Sequence, residues 1–141
     1  LRSEKDRKAL IEGLKDGTID AICSDHKPQN SENKVLEFDY ASFGAIALQT
    51  FYSLYQEFLS EDIPFDLFLE KAAINPRKIV GLDYPSIELN KKAVIAIFDP
   101  NEKWELNRKT NTSKSENSPF WAKNLMGRCK VLICKEQMVE Y

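Results

Sequence analysis

Residues 3–30 constrain this chain more than any other stretch, because they spell out a helix, a tight turn, a strand and a polar loop in that order. Ser3 is placed to cap a helix, and Asp6, three residues on, suits the positive helix end. Ala9, Leu10, Ile11 and Leu14 supply an apolar face, and Gly17 follows the last turn, where a left-handed residue is favoured. Ile19-Asp20-Ala21-Ile22-Cys23 is short and β-prone, which predicts an interior strand. It runs directly into Ser24-Asp25-His26-Lys27-Pro28-Gln29-Asn30. This order is one unit of a parallel α/β fold.

The rest of the first half continues that pattern. Residues 30–42 are polar and predict a long loop. Phe43, Ile46, Ala47, Thr50, Phe51, Leu54, Tyr55, Phe58 and Leu59 recur at helical spacing and predict an amphipathic helix of about four turns at 3.6 residues each. Its aromatic stripe reads as core, since aromatics dominate buried area. Phe65 to Ile74 predicts a further helix. Asn75-Pro76 is expected to break it and to start a short one through Val80, closed by Gly81. At about Asp83 the character changes. Ile87–Leu89, Ala93–Phe98, Lys103–Leu106, Arg128–Cys134 and Met138–Tyr141 predict short strands, with a turn at Asp99-Pro100-Asn101-Glu102 and an extended polar loop over 107–118. Residues 1–82 thus read as α/β and 83–141 as all-β.

Composition narrows the possible functions. Of the 141 residues, 43% are hydrophobic, enough for a packed core and too many for wholesale disorder. Twenty basic against 22 acidic residues leave a net charge of −2, so nothing draws the chain generally to nucleic acid or an anionic membrane. No apolar run approaches the roughly 20 residues that span a bilayer. His26 is the one histidine, which excludes a self-contained zinc enzyme with several His ligands. Cys23, Cys129 and Cys134 form no CxxC pair. Cys129 and Cys134 are five apart, on opposite faces of one strand, so all three read as reduced, partly buried thiols of a cytoplasmic protein. The chain begins with Leu1 and a charged run, so either a leader has been removed or this is a piece of a longer protein.

Asp25 stands where the predicted strand meets its loop, the end at which parallel α/β folds bind ligands. A carboxylate there can ligate a metal or act as a general base; it can equally cap the turn that follows. His26 can bind metal or substrate, or serve as a hydrogen-bonded structural histidine; strand alternation points it away from Asp25. Gln29 can donate and accept hydrogen bonds but cannot act as an acid or base at neutral pH. Phe43-Gly44 is read as the opening of the long helix, with N–H groups free for an anion, or as a plain turn. Lys91-Lys92, Lys109 and Lys114 are most simply solvated surface. Ser113, Ser115 and Ser118 have no nearby histidine and give no serine triad.

Taken together, six segments resemble one family. Leu1-Arg2, Asp6 and Ala9-Leu10 with Gly17-Thr18-Ile19-Asp20-Ala21-Ile22-Cys23-Ser24-Asp25-His26 resemble the late barrel segment of dihydroorotases of the longer bacterial type. Phe43-Gly44-Ala45-Ile46-Ala47-Leu48-Gln49-Thr50 is similar to the family's Phe-Gly-x-x-x-Leu-Glu-Thr. Asn75-Pro76-Arg77-Lys78-Ile79-Val80-Gly81-Leu82 is similar to its Asn-Pro-Ala-x-x-x-Gly-Leu. Phe98-Asp99-Pro100 and Ser113-Lys114-Ser115-Glu116-Asn117-Ser118-Pro119-Phe120 resemble its Phe-Asp-Pro and Ser-Lys-Ser-x-Asn-Thr-Pro-Phe segments, and Gly127-Arg128 fits the strand that follows. The match is colinear over nearly the whole chain.

The resemblance implies a (β/α)8 amidohydrolase barrel with a small β-sandwich. Residues 1–82 would be the end of the barrel and 83–141 the carboxyl-terminal strands of the sandwich. A barrel takes about 250 residues, roughly 31 per βα unit, so residues 1–82 supply about 2.6 units and cannot close one. The activity implied is interconversion of dihydroorotate and N-carbamoyl-aspartate in pyrimidine synthesis, with zinc as cofactor. Asp25 would touch the zinc and shuttle the proton, and Gln29, Phe43 and Gly44 would line the substrate. The remaining zinc ligands would lie in an amino-terminal part not contained here, so this chain alone is expected to bind zinc poorly and to be inactive. A second copy, or aspartate transcarbamoylase with this chain as a non-catalytic subunit, is a further candidate partner, and a hydantoin or allantoin an alternative substrate. Two departures stand out. Asp25-His26-Lys27-Pro28-Gln29 replaces Asp-His-Ala-Pro-His, which keeps a hydrogen bond and loses a charge opposite a dianionic product. Asn90-Lys91-Lys92-Ala93-Val94-Ile95 replaces Gly-Lys-x-Ala-Asp-Leu.

Overall fold

The computed structural model describes residues 3–84 and 86–141; the Leu1-Arg2 pair lies outside the described residues. The elements run α1 (Glu4–Asp16), α2 (Phe51–Phe58), α3 (Phe65–Leu69), α4 (Asn75–Ile79), β1 (Val94–Glu105), β2 (Asn124–Cys134) and β3 (Gln137–Glu140), with a 3-10 turn at Ser31–Asn33 and a π-helical turn at Glu70–Ile74. Two compact units form. One takes Leu1–Cys23 with Phe58–Lys91, the other Ser24–Glu57 with Lys92–Tyr141, so they interleave along the sequence. Among the described residues no helix is long and apolar enough to cross a membrane.

In the first unit, α1 starts where its capping residues place it. Ser3 Oγ accepts the Asp6 N–H at 3.2 Å, and Asp6 Oδ2 accepts the Ser3 N–H at 3.0 Å. This reciprocal box satisfies two otherwise orphaned donors, and the Ser3 hydrogen bonds hold the Asp6 carboxyl below the usual carboxylate range. Gly17 ends the helix at φ 86°. Ile11, Leu14, Ile63 and Phe68 are buried.

Ile19–Cys23 is not a β-strand. A strand needs a neighbouring ladder, and here the Ile22 N–H is held instead by the Lys71 carbonyl, at 2.9 Å. That carbonyl is available for a specific reason. The sequence predicts a break at Asn75-Pro76; instead the helix widens by one π turn and continues. The Asn75 N–H reaches back five residues to the Glu70 carbonyl. Lys71 therefore loses its α-helical donor, and the next residue, Pro76, has no N–H to offer. The Ile22 N–H fills the vacancy, and Asn75 Nδ2 donates to the Asp20 carbonyl at 3.0 Å beside it. The short helix α4 then ends near Gly81, at φ 71°. Ile87–Leu89, read as a strand, is not one; Ile87 and Leu89 are exposed.

In the second unit, the three strands form one antiparallel sheet in the order β1-β2-β3. The two strands expected at 93–98 and 103–106 are a single strand carrying a wide bulge. Asp99 pairs with Arg128 and Lys103 with Met126, so Pro100, Asn101 and Glu102 together oppose Gly127. Pro100 cannot donate to the ladder, and the Asn101 N–H turns to Asp99 Oδ1 at 2.9 Å. Gly127 has φ 85°, and a Cβ there would stand 2.9 Å from the Tyr52 ring. Its carbonyl accepts from Trp104 Nε1 at 3.0 Å and from Ser53 Oγ. Around this point Ile46, Trp104, Leu106 and Leu125 form a buried cluster, with Leu54 and Trp121 against it. Cys129 is half-buried and its thiol is pushed up by burial; Cys23 and Cys134 are exposed, against the expectation of three partly buried thiols. All three are free.

Candidate functional site

Every candidate residue lies in the second unit. Asp25 takes a left-handed backbone, φ 45°, which Asp tolerates better than most residues, and it is exposed. The next residue begins the contacts that shape the site. His26 forms a parallel bridge with Ala45, and the Lys27 N–H donates to the Ala45 carbonyl at 2.8 Å. His26 Nδ1 accepts the N–H groups of Ala47 and Leu48, each at 3.1 Å. Both bonds end on the one ring nitrogen, Nδ1. His26 is thus hydrogen-bonded through Nδ1 to the 47–48 backbone.

These contacts explain why the helix expected from Phe43 begins at Phe51. Residues 45–48 give their backbone groups to His26, Lys27 and Asn117, and residues bonded that way cannot also form an i to i−4 ladder. Gly44 sits at φ 121°, outside any helix, and a Cβ on it would stand 2.8 Å from the Lys27 side chain. Phe43-Gly44 therefore opens no helix and presents no helix N-terminus to an anion. It is a wall packed against the 25–29 loop.

Gln29 joins that wall. Its Nε2 donates to the Phe43 carbonyl at 3.2 Å, while Phe43 itself is 86% exposed. The structure thus brings Gln29, Phe43 and Gly44 together, with Asp25 leading into the same loop. Two residues of the site escaped the sequence reading. Ser115 Oγ reaches the Gln29 carbonyl at 2.5 Å, and the Asn117 side chain bonds both Gln29 and Gly44. In a polar loop Ser and Asn ordinarily signal turns, and spacing alone does not show that they cross some 90 residues of chain to reach this one. The only available signal was their place in a segment of the resemblance.

Zinc takes four ligands in structural sites, or three and a water in catalytic ones. Among the described residues no group of three or more His, Cys, Asp or Glu could hold a metal. The chain's chemical means are a carboxylate that can accept and return a proton, and a wall of fixed amide groups beside it.

Residues 1–127 match the Amidohydrolase family. The chain belongs to the amidohydrolase family. This amidohydrolase chain is 43% identical over 141 residues to the dihydroorotase of Aquifex aeolicus (strain VF5), a match covering 99% of the chain and 33% of that relative. It spans about a third of the length of the curated relatives it matches. Among solved structures it is similar to the dihydropyrimidinase of Brevibacillus agri NCHU1002, at TM-score 0.81 and 23% identity over 99% of this chain and 32% of that one. It is also similar to the inactive dihydroorotase-like domain of the Chaetomium thermophilum CAD-like multifunctional protein, at TM-score 0.61 and 18% identity over 98% of this chain and 36% of that one. At such identities the structures establish the α/β amidohydrolase fold and nothing of substrate.

Proposed function

We propose that this chain is the carboxyl-terminal third of a zinc-dependent dihydroorotase, with residues 1–82 completing a (β/α)8 barrel and 83–141 supplying strands of a small β-sandwich. The parent protein would interconvert dihydroorotate and N-carbamoyl-aspartate. The observation that carries the reading is the docking of the Lys27–Gln29 loop on Phe43–Ala45, which puts the residues of two separate family-like segments on one wall. Zinc would be held chiefly by ligands outside this chain, with Asp25 adding one oxygen; bound there, it would activate water.

The chain's own contribution is acid–base and positional. Hydrolysis adds water to the ring amide carbon and breaks the ring C–N bond. Asp25 takes the proton released by the attacking water and returns it to the leaving ring nitrogen, which closes the proton balance. Gln29 and the Phe43-Gly44 backbone hold the substrate with neutral hydrogen-bonding groups. A non-catalytic subunit supporting aspartate transcarbamoylase is the second reading. It is favoured by Gln29, a residue without charge whose amide is bonded to the protein's own Phe43 carbonyl.

The test is dihydroorotate hydrolysis by the full-length parent with zinc, beside Asp25→Ala and Gln29→His. An active parent silenced at least a thousandfold by Asp25→Ala supports the enzyme, general acid–base groups contributing about 10²–10⁴-fold. Turnover unchanged in Asp25→Ala removes the assigned role. A parent inactive even as Gln29→His, yet binding aspartate transcarbamoylase, supports the second reading.

A further inference from the structure

The segment Ser113–Phe120 has no part in the chemistry just described, yet Ser115 and Asn117 within it bond Lys27, Gln29, Gly44 and Ile46 of the candidate site. We propose that Ser115 and Asn117 are positioning residues that hold the two substrate-facing segments, 27–29 and 43–46, in register; the inference rests on the dihydroorotase reading.

The Asn117 side chain stands between the two segments and bonds both. Its Oδ1 accepts the Gln29 N–H at 3.2 Å. Its Nδ2 donates to the Gly44 carbonyl at 3.0 Å and to the Lys27 carbonyl at 3.3 Å. These partners fix the amide orientation, because the flipped form would set its oxygen against two carbonyls and its NH2 against an N–H. The Asn117 carbonyl accepts the Ile46 N–H at 3.0 Å, which ties the far end of the 43–46 segment to the same residue. Ser115 Oγ lies against both the Gln29 carbonyl, at 2.5 Å, and Asn117 Oδ1, and its single proton serves one of them; its oxygen accepts the Asn117 backbone N–H at 3.5 Å. Ser115 is buried, at 9% exposure.

One primary amide thus answers two carbonyls and an N–H from segments that are not adjacent in sequence. Serine and asparagine have the reach and the donor–acceptor pattern for it. Aspartate has the same shape but no donor, and would face the Gly44 and Lys27 carbonyls with a negative oxygen. Loss of the clamp moves Gln29 relative to Phe43-Gly44. Misplacement of a substrate wall by even an ångström is felt in catalysis although neither clamp residue touches substrate.

The experiment measures kcat and KM for dihydroorotate in the full-length, zinc-loaded parent, with Asn117→Asp, Asn117→Ala and Ser115→Ala, and with Lys114→Ala as a surface control. Zinc content and thermal midpoint are recorded for each. The expected result is a KM raised about tenfold or more in the Asn117 variants and less in Ser115→Ala, with zinc content and the control unchanged. A role in folding alone would lower the active fraction, and so kcat, while KM stayed put; that result overturns the inference, as does an unchanged KM with an unchanged kcat. If the Asn117 variants do not fold, Ser115→Ala decides by the same KM criterion. A wild-type parent without turnover defeats the dihydroorotase reading, and is told apart from failure of the clamp by being read before any variant.

Discussion

At the scale of single residues, Gly44 has little freedom to change. Its φ of 121° is unfavourable for any side chain, and the space a Cβ needs is held by Lys27 carbons at 2.8 to 2.9 Å. Gly17 and Gly81 also have positive φ, but nothing lies within 4 Å of a Cβ there. Gly44→Ala should therefore destabilise by about 1–3 kcal/mol through strain and a displaced Lys27. Gly81→Ala should cost about 1 kcal/mol, from backbone conformation alone. Urea unfolding of both variants checks this; equal losses at the two positions would show that the Lys27 contact is unimportant. Much of this was hidden in the sequence. Phe43-Gly44 fits a helical repeat of apolar residues so well that periodicity extends the helix over it. The competing interaction is long-range: His26 Nδ1, twenty-one residues earlier, takes the Ala47 N–H before a helix can use it.

At the scale of elements, local signals succeeded where the partner was local. Ser3 with Asp6, and Gly17 after the last turn, fixed α1 because capping acts within four residues. They failed where a remote partner decides. Pro76 was read as a helix break, since its missing N–H is locally visible; that a π turn absorbs the loss, and that Ile22 takes the spare Lys71 carbonyl, depends on a segment fifty residues away. Pro76→Ala restores an N–H able to compete for that carbonyl. The Ile22 amide should then exchange with solvent about fivefold faster, in line with a net hydrogen bond worth about 1 kcal/mol. Unchanged exchange would mean that the proline does not free the carbonyl. In the sheet, Pro100 was visible as an interruption, and only the partner strand shows that Gly127 absorbs it as a bulge. Within that bulge Glu102 is bonded by Lys130 and Arg128, which hold its carboxyl below its ordinary value of 4.5. A carboxyl depressed in the folded state stabilises fully above about 4.5 and ceases to do so as pH falls through its folded value. Glu102→Gln should therefore lower the thermal midpoint at pH 7, and the two proteins should converge in acid. A constant difference across that range would assign Glu102 a role other than its charge.

For the whole molecule, the site wall and the zinc chemistry part company. The wall is complete within one unit of this chain: loop 25–29, segment 43–46 and the Ser115–Asn117 clamp all belong to Ser24–Glu57 and Lys92–Tyr141. Among the described residues no group of three or more His, Cys, Asp or Glu could hold a metal, and Phe43, at 86% exposure, faces solvent, so under the proposed function Asp25 would be one ligand among several held elsewhere. Separating the two makes a measurable distinction. Calorimetric titration of the 141-residue chain with zinc should show no stoichiometric site tighter than micromolar. The full-length parent should bind zinc in a chelator-sensitive manner, more weakly as Asp25→Ala. One-to-one zinc binding by the short chain, lost in Asp25→Ala, would place a whole metal centre within these residues and contradict the division of labour argued here. The same titration followed by amide exchange at Gln29 and Ile46 separates wall from metal, because the clamp holds both amides through Asn117 whether or not zinc is present. Protection at those two positions that appears only with metal would mean that the wall is organised by the ion and not by the chain.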